Sequence, residues 1–391
     1  MNCEAHAFES GLVCLHTCDH GAEDLKQRLS NEVSTNQFNF ALIYYSKSRC
    51  SAHQITTLMQ DVAELLPYAA CSTAGELTPI GLDQGQLVIL LFPRQHFAIQ
   101  PMRLTTTKDG RLEDIVSHVN SAKKGFVEHH TGHGTIFALC LMDGASFMEE
   151  AMTAAIHWGL EDVPVLGGSA GDELNFLETD LILNGEVLDD NGILMLVHTD
   201  LPVEIFKTEN FVPSSQKLVV TRSDPDHRIV HELNAAPAAL AYAEVIGADL
   251  ESLTPQSFAS HPLVMRVGGE YYCRSIQKVN DDNSLSFFCA IDDGIVLTVA
   301  EQTGMARTTK EALDGIRDRL GEIDFVLGFD CVLRQIDARN RQVTHRISEI
   351  YRDFKVLGFN TYGEQYRSLH LNQTLTGVAF GTAVPMAEAA E

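Results

Sequence analysis

The sequence lacks any segment able to cross a bilayer, any basic cluster able to hold a polyanion, and the glycine patterns that cradle a nucleotide. Its largest apolar runs, Leu87–Phe92 and Ile193–Val197, fall far short of the roughly 20 residues that a membrane helix needs. The N-terminal region carries Glu4 and no basic stretch leading into an apolar one, so no export signal is read there and a cytoplasmic protein is expected. Basic residues are scarce, 28 Lys and Arg against 53 Asp and Glu, and the net charge of -25 repels nucleic acid and anionic lipid. Neither G-x-G-x-x-G nor G-x-x-x-x-G-K-[ST] occurs, which argues against a nucleotide enzyme, and without C-x-x-C-H there is no support for covalently attached haem. Low-complexity tracts are also missing. With 45% hydrophobic residues over 391 positions, the chain is expected to fold throughout and to build two or three full cores.

Cysteines do occur, at 3, 14, 18, 50, 71, 140, 273, 289 and 331. An odd number scattered through apparent core strands reads as reduced thiols in a reducing compartment.

What organises the chain is a short order of residues found three times: hydroxyl, apolar, glycine, acid. It appears as Thr73-Ala74-Gly75-Glu76, Ser169-Ala170-Gly171-Asp172 and Thr361-Tyr362-Gly363-Glu364. Ahead of each lies a short apolar run, Phe40-Ala41-Leu42, Phe137-Ala138-Leu139 and Phe325-Val326-Leu327, at nearly the same separation. Helical spacing fills the interval, so the repeated unit reads strand, helix, strand, glycine-acid turn. The predicted fold class is therefore α/β (mixed α+β), two domains with mixed, partly antiparallel sheets built from duplicated strand-helix-strand units. The expected divisions are an extension over 1–37 packed on the first domain, an N-terminal domain over 38–210 and a C-terminal domain over 211–391. Gln86–Phe92 and Phe97–Leu104 read as consecutive antiparallel strands of one growing sheet, and a helix from about Phe147 to Trp158 is expected to start at a Ser146 cap. Residues 251–260, rich in Ser, Pro and Thr, read as a loop, with a strand meander beyond it.

Four constellations are candidates for chemistry. Gly167-Gly168-Ser169-Ala170-Gly171 matches the G-x-S-x-G nucleophile elbow, but no helix pattern follows Ser169 and the other two copies carry threonine, so a small hydroxyl in a turn explains it better. Cys14, His16, Cys18 and His20 share one face of a strand, a ladder too flat to wrap a tetrahedral metal; buried Cys alternating with surface His is the simpler reading. His129, His130 and His133 fall in a polar loop that a solvated turn explains. The most pointed histidine is His261, fixed by Pro262 at the mouth of an apolar strand near Tyr271, Tyr272 and Arg274. It could be an axial metal ligand to haem iron, with Arg274 facing a propionate, although a hydrogen bond to a loop carbonyl is the plainer account. No spacing distinguishes His227, His231, His345 or His370.

Cys71-Ser72-Thr73-Ala74-Gly75-Glu76, Leu166-Gly167-Gly168-Ser169-Ala170-Gly171-Asp172 and Gly358-Phe359-Asn360-Thr361-Tyr362-Gly363-Glu364 resemble the hallmark turns of FIST proteins, which join a FIST N to a FIST C domain. The resemblance covers about residues 38–380 and implies a sensory module for small ligands, not an enzyme. Within that family, Ala259-Ser260-His261-Pro262-Leu263, Arg274-Ser275-Ile276-Gln277 and Phe288-Cys289-Ala290-Ile291-Asp292 are most similar to the stand-alone nitric-oxide-sensing NosP branch. That implies non-covalent haem b, nitric oxide as the signal, and a partner sensor histidine kinase in a bacterial phosphorelay affecting biofilm behaviour. His261 as ligand comes from the residues, not from the branch; its release when nitric oxide binds would supply the differential interaction a switch needs. A homo-oligomer stays open. So do a haem-free FIST module for a small metabolite such as an amino acid, and a serine hydrolase using Ser169.

Overall fold

The computed structural model of the protein describes residues 3–18, 23–60, 62, 65–105, 111–189 and 191–382. It is a mixed α/β structure in which the three repeats are three units. In each unit two parallel strands flank a helical crossover: Phe38–Tyr45 with Tyr68–Ser72, Thr135–Met142 with Val165–Ser169, and Ile323–Cys331 with Val356–Thr361. The first strand of each pair is flanked on its other side by an antiparallel return strand, Leu87–Pro93, Asn191–Thr199 or Leu375–Gly381. A further strand follows in each sheet: Phe97–Thr105 is the edge in unit 2 and Val203–Thr208 in unit 3, whereas in unit 1 Val13–Thr17 is followed by Glu4–Ala7 as the edge.

The extension expected before residue 38 contributes the strands Glu4–Ala7 and Val13–Thr17 and the helix Glu23–Ser34 to unit 1. One sequence expectation changes here. Phe97–Thr105 does not continue the sheet of Leu87–Pro93; it crosses to unit 2 and pairs with Asn191–Thr199. Leu87–Pro93 is continuously apolar and buried, whereas Phe97–Thr105 carries Gln100 and Arg103 among its apolar residues; pairing partner is decided by the shared core and not by adjacency.

The hairpin after each glycine-acid turn leaves its own unit. Glu76–Thr78 and Gly81–Asp83 extend the sheet of unit 3, Leu181–Leu183 and Glu186–Leu188 that of unit 1, and Glu364–Tyr366 and Leu369–Leu371 that of unit 2. The exchange is cyclic, so each sheet is completed by another unit.

Alternate residues of the first strands meet in one central core: Phe40, Leu42 and Tyr44 from unit 1, Phe137, Leu139 and Leu141 from unit 2, Phe325, Leu327 and Phe329 from unit 3. Phe380 stacks on Phe325 at 4.4 Å and lies 5.5 Å from Phe97 and 6.2 Å from Phe137. The intervening residues, among them Ile43, Cys140 and Val326, face outer cores against the helices. Strands buried on both faces explain why the sequence shows continuous apolar runs there and not alternation.

Between the edge strand and the first helix of unit 3, Met305–Leu320, the chain inserts an eight-stranded antiparallel sheet running from Phe211–Asp224 to Val296–Gln302, with its own core around Leu218, Leu233, Tyr242 and Phe258. The boundary expected near residue 210 thus falls between the edge strand of unit 3 and this insertion. Residues 251–260 are not a plain loop: Thr254 and Ser257 form a reciprocal capping box that starts the helix Pro255–Ser260. Ser146 is not the cap of the helix Glu149–Leu160, because its hydroxyl donates to the Asp143 carbonyl at 2.9 Å and Met148 takes the cap position. No disulfide joins the nine cysteines, eight of which are buried. Among the described residues no helix is long and apolar enough to cross a membrane.

Gly75 has φ +147, and a Cβ there would lie 2.7 Å from Asn360 Oδ1 and 2.9 Å from Gln335 Nε2. Gly75→Ala is expected to lower stability by about 1–3 kcal/mol in urea denaturation. Gly125→Ala, in the helix Leu112–His129 with open space at its Cβ, is the control and should raise stability by up to about 1 kcal/mol.

Candidate functional site

The three turns interlock at the place where the hairpins cross. Ala74 N–H donates to the Asn360 carbonyl (3.0 Å) and Asn360 N–H to the Gly75 carbonyl (2.7 Å). Gly171 N–H donates to Ser72 (3.0 Å), Ser169 N–H to Gly363 (2.8 Å) and Tyr362 N–H to Ser169 (3.1 Å). The hydroxyl and the acid of the repeat have a shared role in two copies. Thr73 pairs with Glu76, and Thr361 with Glu364 at 2.5 Å. Both acids are fully buried, and burial pushes each up to about 8 even though hydroxyl and backbone bonds oppose it. They are neutral hydrogen-bonding groups at neutral pH.

The second copy departs from this. Ser169 is fully buried, and its hydroxyl accepts from the Gln365 amide at 2.9 Å, the same nitrogen that lies 3.2 Å from His370 Nδ1. Asp172 instead accepts N–H bonds from Phe176 (2.8 Å), Leu177 (2.8 Å) and Glu178 (3.1 Å), together with the Tyr362 hydroxyl. Burial raises its carboxyl, but those four donors outweigh burial and hold it below its ordinary value. The anchored segment 173–178 has positive φ at Glu173, Leu174 and Phe176.

That segment separates two cavities. One, of about 360 Å³, is polar: Ser46, Arg49, Gly75, Glu76, Glu173 and Arg339 line it. The other, of about 380 Å³, is walled by Leu174 and Phe176 from unit 2 and by Phe258, Ala259, Ile276 and Phe288 from the insertion, with Lys278 and Gln277 also lining it. Next to it a buried ion cluster joins the two parts. Arg228 Nη2 reaches Glu149 at 2.6 Å and Glu150 at 2.8 Å, Arg228 Nη1 donates to the Phe288 carbonyl, and Ala290 N–H donates to Glu150.

The residues singled out in the sequence are spread over this region. His261 caps the helix Pro255–Ser260, whose Pro255, Phe258 and Ala259 line the apolar cavity; its Nδ1 is buried without a hydrogen-bond partner, and its carbonyl accepts the Tyr242 hydroxyl at 2.8 Å. Arg274 stands opposite Leu263 at the same end of its strand pair, and its guanidinium donates to the His370 carbonyl at 3.1 Å. Tyr271 and Tyr272 pair with Arg266 and Met265, further along the ladder and on opposite faces. Tyr272 lies under Lys207 at 4.3 Å, and Tyr271 packs near Val264 and Ala300. The structure therefore brings His261 and Arg274 to one end of the strand pair and leaves the tyrosines apart. His370 is buried against Gln365, its ring pushed down to about 4 chiefly by burial. His129 bonds the Gly125 carbonyl, and His130 bonds the Phe126 carbonyl and stacks on His198. His16 is not at the surface as expected but 4% exposed, and His20 lies outside the described residues. Arg49, Arg339 and the cluster of Arg228 with Glu149 and Glu150 were not singled out from sequence, since no spacing links residues so far apart.

The fold and its cavities define a class: a mixed α/β protein of two interlocked parts with ligand-sized spaces at their junction. Comparison with known families gives the rest. The FIST N domain matches residues 39–236 and the FIST C domain residues 238–367, and the chain belongs to the FIST family. FIST domains are sensory domains of signalling proteins. An uncharacterized protein of Methanocaldococcus jannaschii is 23% identical over 56% of this chain and 49% of its own length, so the chain spans about half of that curated relative. A chorismatase crystal structure aligns over 96% of this chain and 99% of its own with a TM-score of 0.36 and 7% identity, a likeness too low to carry an argument.

The neutral acids set a pH dependence. A carboxyl whose folded pKa is raised contributes stability in full below about pH 4.5, and that contribution is lost as pH climbs towards about 8. The urea midpoint is expected to fall between pH 5.5 and pH 8.5, and the double variant Glu76→Gln, Glu364→Gln should flatten that fall.

Proposed function

We propose that this chain is a haem-binding nitric oxide sensor that regulates a partner histidine kinase, with the haem seated at the apolar cavity between the FIST N segment 173–178 and the FIST C insertion. The observation that supports this reading is the buried Nδ1 of His261, without a hydrogen-bond partner among the described residues, at the end of the helix whose Pro255, Phe258 and Ala259 line that cavity; His261 itself stands behind that lining. A buried imidazole nitrogen without a partner is costly unless something binds it. The chemistry of the surroundings fits the group: aromatic and aliphatic walls suit a porphyrin, and Lys278 on the wall is a better-placed counter-charge for a propionate than Arg274, which is engaged with His370. When bound, haem supplies an iron that takes nitric oxide. The chain's own part is to couple that site to the fold. His261 holds the end of the helix Pro255–Ser260. Phe288 lines the cavity with its side chain, while its carbonyl accepts from the guanidinium that bridges Glu149 and Glu150. Occupancy thus bears on both FIST domains at once, which is what a shift between two states requires. The strongly acidic chain suits a basic docking patch on the kinase.

An absorption spectrum of the full chain after haem reconstitution tests this. A Soret band that moves with nitric oxide is expected, with an altered ferrous spectrum in His261→Ala; no Soret band in the unsubstituted protein would sink the reading.

The polar cavity favours a second reading, a haem-free sensor of an amino acid. Arg49 and Arg339 make no ion pair among the described residues and share that cavity with Glu173, an arrangement complementary to a carboxylate and an ammonium on one small molecule. Titration calorimetry against an amino-acid panel should then find a binder whose affinity drops by about tenfold or more in Arg339→Ala.

A further inference from the structure

We propose that Glu4, His6 and His16 form a binding site for a divalent transition-metal ion of the zinc(II) class, on the outer hairpin of unit 1. The site is built by strand register. Glu4–Ala7 and Val13–Thr17 pair antiparallel with Glu4 opposite His16 and His6 opposite Cys14. Period two puts Glu4 and His6 on one face of their strand, and the pairing brings His16 across to them. Glu4 Oε2 lies 3.6 Å from His16 Nε2 and 3.7 Å from His6 Nε2, and the three donor atoms all fall within 4.8 Å of one another. Those separations are too long for hydrogen bonds. They are close to the roughly 3.3 Å between donors that tetrahedral coordination with bonds of about 2.0–2.1 Å demands.

A second observation points to the same place. His16 is 4% exposed, and its Nε2 is buried without a hydrogen-bond partner among the described residues, turned toward the Glu4 carboxylate. A satisfied core histidine does not leave that nitrogen empty. The two rings stack at 5.3 Å, an arrangement suited to neutral imidazoles. Two neutral imidazoles and a carboxylate are a donor set that suits zinc, and the exposed Glu4 side leaves an entry path and an open coordination position. Cys14 takes no part, since its side chain lies in the central core.

The test is a competition titration of Zn2+ against a fluorescent chelator, on the full chain stripped of metal, with circular dichroism on every variant. One tight Zn2+ is expected in the unsubstituted protein. It should bind roughly 100-fold or more weakly in His6→Ala and in Glu4→Ala, whose side chains are exposed enough to leave folding intact. The proposal is overturned if the unsubstituted chain takes up no Zn2+ at tens of micromolar, or if folded His6→Ala and Glu4→Ala bind as it does.

Discussion

The structure depends on the mutual pairing of three turns. Each has a buried hydroxyl and a glycine that lets a neighbouring segment come close, from another unit at Gly75 and Gly171 and from its own hairpin at Gly363; in the first and third turns the acid opens the departing hairpin. Because the hairpin of each unit completes the sheet of another, no unit can satisfy its own strand edges. The central core has the same logic: Phe40, Phe137 and Phe325 meet only when all three units are in place. Contacts this distant in sequence make the fold a single cooperative body despite its repeat pattern.

Function is expected where the threefold pattern is broken. Two copies keep the acid neutral against a threonine hydroxyl. The third has a shorter acid, and Asp172 turns away from Ser169 to gather the backbone of 173–178 and the Tyr362 hydroxyl. That substitution of one hydrogen-bonding scheme for another creates the partition between the polar and the apolar cavity. The second break is the insertion of an entire antiparallel sheet between the edge strand and the first helix of unit 3. It brings Phe258, Ile276 and Phe288 against Leu174 and Phe176, and Arg228 against Glu149 and Glu150. The apolar cavity is thus walled jointly by unit 2 and by the inserted sheet.

Buried charge supports the same division. Glu149 is fully buried, and burial raises its carboxyl even beside Arg228, at the contact between unit 2 and the inserted sheet. Such a pair is costly to break, because removing one partner leaves the other buried and uncompensated. Glu76 and Glu364 are instead paired with threonines inside the knot.

Much of the architecture was legible in the sequence because it rests on local rules. The three hydroxyl-x-Gly-acid turns, the apolar strands ahead of them and the helical spacing between gave the repeated unit, and with it the family. The odd number of scattered cysteines reads as reduced thiols, and the structure places all nine as free cysteines. What the chain alone did not reveal is which strand meets which. The strands Leu87–Pro93 and Phe97–Thr105 are neighbours in the chain, yet one joins unit 1 and the other unit 2. Likewise His16 reads as a surface residue until Glu4 is set opposite it, and Asp172 reads as one of three equal acids until Tyr362 arrives from the far end of the chain. Periodicity along a strand determines which residues share a face; only tertiary packing decides what that face meets, because pairing energy comes from burial shared between segments that the sequence keeps far apart.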